Sequence, residues 1–154
     1  MVTEYQIANA RLLWALAGAI PAVIEDLWRR RISNDVSLLL LTGGLAIGTC
    51  DLGLRGLGSS IVGAAAGFSV FLIFYLMRAM GGGDIKLMAG FGAVLGAKDI
   101  LTAAMIAAMA GAAIALAVLA VARLRGRAVR GIPYAPPIAF GALAVLLSRA
   151  AGGQ

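Results

Sequence analysis

Apolar residues fall into six runs along the chain, at 7–24, 36–50, 57–77, 87–97, 100–122 and 136–147, with most of the charge confined to the short stretches between them. A helix crossing a bilayer perpendicularly needs about 20 apolar residues, roughly 17 at the low end. The third and fifth runs qualify outright and the first is adequate. The second can borrow residues 51–54, and the fourth can borrow the glycines and Asp84 that precede it. The sixth takes in Tyr134 before it and Ser148 and Arg149 after it, with the arginine snorkelling to the interface. The pattern predicts an all-α polytopic membrane protein, a bundle of six transmembrane helices, with residues 1–154 forming a single domain. Small residues recur at helical spacing, as Gly44 and Gly48, Gly63 and Gly67, Gly92 and Gly96, and the alanine pairs 103–104, 107–108 and 112–113. Such stripes let backbones approach where lipid removes the hydrophobic drive for association, so they predict packing seams. They leave oligomeric state open. Pro21 predicts a kink in the first helix one turn before Asp26.

Composition sharpens this picture. The chain of 154 residues is 62% hydrophobic and 13% charged, whereas soluble domains carry roughly 45–50% apolar residues. No soluble core could hide so much apolar surface, and the partner that the chain requires is the lipid bilayer. The net charge of +6 does not point to nucleic acid, because basic residues in short loops are what membrane orientation demands. With no histidine in the chain, Ser-His-Asp and Cys-His catalysis and histidine-ligated zinc are excluded. Cys50 is the sole cysteine, which rules out an intrachain disulfide and reads as a packing residue. No metal or cofactor is expected. Glu4 precedes the first apolar run and the basic cluster follows it, so that run is expected to be a span rather than a cleaved signal.

Charge also sets orientation. With the first loop cytoplasmic, Arg29, Arg30, Arg31, Arg78, Lys86, Arg123, Arg125, Arg127 and Arg130 fall inside and Arg11, Arg55, Lys98 and Arg149 outside, nine against four. The positive-inside bias then places both termini outside. A re-entrant fourth run would move the arginines of 123–130 outward, against that bias.

Two acids stand apart from the rest. Asp84 follows Gly81-Gly82-Gly83 at the edge of the fourth run, and Asp26 lies where the first run stops. Ionisable groups at the margin of hydrocarbon are functional-site candidates that need a partner. Two crossings separate them, so both face the cytoplasmic side, and they form a candidate catalytic dyad. Glu4, Asp51 and Asp99 fall on the opposite face and read as solvated end residues. Two carboxylates held close cannot both ionise cheaply, so they share a proton, one acting as base toward water and the other as acid toward a carbonyl oxygen. Asp26 closes a helix and Asp84 opens one, an asymmetry of the helix dipole that favours charge on Asp84. The glycines, Gly81 and Gly83 among them, permit backbone angles closed to other residues and a close approach of substrate. Lys86 and the Arg29–Arg31 run read first as topology determinants and second as substrate contacts. Asn34 reads as a helix cap.

At these residues the chain resembles the prepilin peptidase family, membrane aspartyl proteases of the GxGD type. Gly81-Gly82-Gly83-Asp84 matches GxGD, with Ile85-Lys86 extending it. Asp26 through Asn34 resembles an aspartate followed by a basic run and Ile-Pro-Asn, with Ser33 in place of the proline. Residues 132–137, Ile-Pro-Tyr-Ala-Pro-Pro, resemble the segment that opens the family's last helix. The resemblance implies removal of the basic leader of type IV pilin-like precursors at the cytoplasmic face of the bacterial inner membrane. Asp26 and Asp84 would be catalytic, with Gly81, Gly83, Lys86 and Asn34 supporting. The paired cysteines and cytoplasmic insert of the longer relatives are missing, which resembles the short type associated with Flp, or tight-adherence, pili and weighs against N-methylation of the product. A rival reading of the same acids is a small proton- or cation-coupled transporter subunit.

Overall fold

The structure, a computed structural model, describes residues 4–126 and 132–152. Each of the six apolar runs falls on one helix, the third overrunning its helix by one residue and the fourth by two: α1 (Glu4–Arg29), α2 (Asn34–Leu52), α3 (Leu54–Leu76), α4 (Gly82–Leu95), α5 (Ile100–Leu124) and α6 (Ala135–Gly152). Four of them, α1, α2, α3 and α5, are long and apolar enough to cross a membrane. Arg127 and Arg130, counted above toward orientation, lie outside the described residues. α1 continues as one helix through Pro21. Gly53 alone joins α2 to α3, at a φ of 59° that an L side chain resists.

The centre of the bundle holds large side chains, among them Leu40, Phe71, Leu87, Met88 and Phe91, but α1 and the first half of α5 turn small residues inward and large ones outward, the reverse of a soluble protein. Ala15, Ala19, Ala22, Ala103, Ala104 and Ala107 are buried, while Leu13, Ile20, Ile61, Ile73, Met105, Met109 and Leu116 are exposed. That inversion suits a bundle whose surroundings are as apolar as its core. The glycine seams form as the spacing predicts. A Cβ on Gly44 would sit 2.6 Å from the backbone of Ala93, and one on Gly63 would overlap the carbonyl oxygen of Gly92. The alanine seam is shorter than expected. It gives way to buried Gly111, and Ala112 and Ala113 are exposed. Cys50 is exposed on α2 and does not pack in the core.

α4 is the innermost helix. At 14 residues it is about 21 Å long at 1.5 Å per residue, short of the roughly 30 Å of a hydrocarbon layer. Ten of those residues are buried. It packs chiefly against α2 and α3, whereas α6 packs chiefly against α5 and α1. A helix end buried inside a bundle must have its polar groups met by protein. At the C-terminal end the N–H of Gly96 donates to Gly92 O at 2.9 Å, the N–H of Ala97 to Ser59 Oγ at 3.1 Å, and Arg11 Nη1 reaches Leu95 O at 3.5 Å.

The far end of the bundle corrects one expectation. Asp51 and Asp99 are not solvated ends. Asp51 Oδ2 pairs with Arg11 Nη2 at 3.0 Å, and Asp99 Oδ2 with Arg149 Nη2 at 2.6 Å. Arg149 therefore spans two helix ends instead of reaching out to the interface.

Candidate active site

Asp84 is the third residue of α4. Its Oδ2 accepts the N–H of Gly81 at 3.0 Å, half of a capping box in which the N-cap glycine supplies only its backbone. Helix α4 thus begins by turning a carboxylate back over its own first turn. Asp26 stands one turn before the end of α1, where the helix offers carbonyls rather than donors. Its Oδ2 accepts the N–H of Ala135, the first residue of α6, at 2.9 Å. Each carboxylate therefore rests against the N-terminus of a helix, Asp84 on its own and Asp26 on a borrowed one. The dipole asymmetry expected from sequence is offset by α6.

Both acids are 7% exposed, and both line one cavity of about 550 Å³ at the end of the bundle where α1, α3 and α5 finish and α4 and α6 begin. Arg30, Arg78, Gly81 and Tyr134 share its wall. Arg30 and Arg78 have φ of 51° and 57°, left-handed angles that cost an L residue about 1–2 kcal/mol. Each follows a helix end, with Arg30 N–H donating to Asp26 O at 3.0 Å and Arg78 N–H to Tyr75 O at 2.8 Å. Glycine is usual at such positions. The chain instead places a cation at both corners of the cavity. Among the described residues, no group of three or more His, Cys, Asp and Glu side chains converges to hold a metal.

The other expected site residues divide. Gly81 lines the cavity, but it is extended, with φ −82° and ψ 158°, and none of Gly81, Gly82 and Gly83 has a positive φ. Gly82 and Gly83 are the first residues of α4. The triple glycine is therefore not a device for unusual backbone angles. Clearance matters at one of the three: a Cβ on Gly83 would lie 3.1 Å from Ile32 Cβ, so the start of α4 is pressed against the α1–α2 connection. Lys86 and Asn34 meet, with Nζ donating to Asn34 Oδ1 at 2.9 Å. They do so outside the aspartate cavity, beside an apolar groove that includes Leu38, Leu41 and Phe68. Asn34 is the first residue of α2 and does not cap it; the cap position is Ser33, which makes no side-chain cap bond. The N–H of Ser33 donates to Glu25 Oε2 at 2.8 Å. A proline there could not make that bond.

Sequence reading missed the donor to Asp26, the strained arginines and the role of Glu25. The proline pair 136–137 was a signal for the first, since it marks the start of the helix that reaches Asp26.

The family model described as the type IV leader peptidase family matches residues 12–116, a stretch that includes both Asp26 and Asp84. No curated protein and no solved structure matches the chain.

Proposed function

The chain belongs to the type IV leader peptidase family, and from that premise we propose that it removes the basic leader of Flp-type pilin precursors by aspartyl chemistry between Asp26 and Asp84. The observation that carries the reading is that these two buried acids, 58 positions apart in the chain, line one cavity. With one proton between them, the ionised aspartate takes a proton from water as its oxygen attacks the scissile carbonyl carbon, and the protonated one gives its proton to the carbonyl oxygen. As the tetrahedral intermediate collapses, the aspartate that took water's proton gives it to the amide nitrogen, the other takes one back from a hydroxyl of the intermediate, and the C–N bond breaks. The leader leaves with a carboxylate and the mature protein with an amine. Gly81, without a side chain beside Asp84, leaves room for the substrate backbone. Gly83 lets α4 start close against Ile32, and the Lys86–Asn34 bond ties α2 to the same turn.

In this reading all six helices cross the bacterial inner membrane. α4 is shielded from lipid by its neighbours, both termini lie outside, and the cavity opens at the cytoplasmic face. Support for that orientation comes from Arg30 and Arg78 at the cavity wall and the positive-inside bias.

The test is leader removal by the purified protein in detergent, followed by mass spectrometry of both fragments. Asp26→Asn and Asp84→Asn should insert and fold yet lose cleavage. Normal turnover by either variant would rule out the dyad.

A further inference from the structure

We propose that the backbone N–H of Ala135 is a positioning donor, which sets the Asp26 carboxylate toward the cavity it shares with Asp84. α6, beyond the matched residues 12–116, is then part of the working site. The inference rests on the functional reading above.

The first turn of α6 leaves one donor for this purpose. The first four N–H groups of a helix have no acceptor within it. In α6 they would belong to Ala135, Pro136, Pro137 and Ile138. The prolines have no N–H, and that of Ile138 donates to Tyr134 O at 3.2 Å. What remains is the N–H of Ala135, a residue with no exposed surface, and a buried donor must be met. Asp26 Oδ2 meets it at 2.9 Å. The dependence runs the other way too. Asp26 is near the end of α1, so the free backbone groups of its own last turn are acceptors, and a donor must come from another element.

The donor is also held in place. Two prolines with fixed φ follow it, and before it the ring of Tyr134 lies so close to α5 that a Cβ on Gly111 would come within 3.2 Å of it. The start of α6 is stiff, and it passes that stiffness to one carboxylate oxygen. In this proposal proton transfer falls to Oδ1, the oxygen that Ala135 does not hold. Hence Ala135 acts through Asp26 and touches no reacting atom.

The experiment deletes this N–H. Nonsense suppression in the full chain replaces Ala135 by lactate, turning the 134–135 amide into an ester of the same shape, and Ala135→Gly serves as the variant that keeps the N–H. Because the ester also weakens Tyr134 O, which accepts from Ile138 N–H, a second ester at Ile138 removes that bond by itself and should keep parental kcat. Leader removal from a pilin-like precursor is measured in detergent, with kcat and KM separated and the folded fraction determined by thermal unfolding. The Ala135 ester should lower kcat per folded protein about ten- to a hundred-fold, the range set by a hydrogen bond to a charged group, with KM close to that of the parent and a lower unfolding temperature, since a buried carboxylate oxygen is left unmet. Ala135→Gly should keep kcat within about three-fold. An Ala135 ester with parental kcat, beside an inactive Asp26→Asn, overturns the positioning role and leaves the functional reading standing. Activity lost only in proportion to folded protein overturns it as well. An Asp26→Asn variant that cleaves normally overturns the functional reading, and the positioning role with it.

Discussion

The two ends of the bundle each gather a pair of aspartates in the neighbourhood of arginines, and they treat them differently. At one end Asp51 and Asp99 are ion-paired to Arg11 and Arg149. At the other, Asp26 and Asp84 accept backbone N–H groups from Ala135 and Gly81 beside a cavity. An ion pair satisfies a carboxylate and fixes two helix ends together. A single backbone donor orients a carboxylate and leaves lone pairs for other work. The same residue type thus serves as a fastener at one end and as a candidate reactive group at the other, and what distinguishes the two is the donor.

This contrast can be broken most sharply by the conservative amide. Asp84→Asn should reduce leader cleavage by three orders of magnitude or more, on the order of what loss of an essential acid–base group costs, whereas Asp51→Asn and Asp99→Asn should stay within about three-fold of parental turnover. Equal losses at both ends would erase the distinction. Thermal unfolding in detergent gives the complementary effect. Asp51→Ala should cost about 1–3 kcal/mol, because it strands the partly buried Arg11. For Asp84→Asn, whose amide oxygen can still accept from Gly81, the cost should be smaller. At the start of α4, Gly83→Ala should lower turnover several-fold by displacing Ile32, an effect of about 1 kcal/mol, and Gly81→Ala should be milder, since its Cβ would find ordinary contact 3.5 Å from Asp84 Oδ2. The smallest effect expected is a gain. Arg78→Gly relieves a left-handed φ and should raise stability by about 1 kcal/mol, while any change in kcat or KM reports what the arginine does in the cavity wall.

Much of the helical layout was legible because lipid imposes it. Runs of apolar residues near span length have few alternatives, and the six became six helices. The short α4 was harder to place, for a helix wrapped by protein owes no length to the bilayer. Asp26 and Asp84 could be paired by counting the two apolar runs between them, which became α2 and α3. Lys86 could have been separated from them by the same arithmetic, since residues two apart on a helix do not share a face; its partner Asn34 could not be found that way. The pairing of Arg11 with Asp51 and the donor at Ala135 depend on how helices lean together. A backbone N–H also looks the same at every position, so only the loss of its neighbours at Pro136 and Pro137 sets that one apart. The triple glycine misled because glycine runs usually signal freedom of the chain, and here Gly83 serves for clearance against Ile32.

The packing preferences of α4 and α6 have a mechanical consequence. Asp84 travels with the trio α2, α3 and α4, locked by glycine backbones in direct contact, and Asp26 travels with α1 and the α5–α6 pair to which its donor belongs. The gap between the two acids is therefore a joint between two groups of helices that Arg11 pins together at the far end, and any narrowing around a bound peptide would be a rocking about that pinned end. A covalent staple between α1 and α4 that left turnover unchanged would show the joint to be fixed already at its working width.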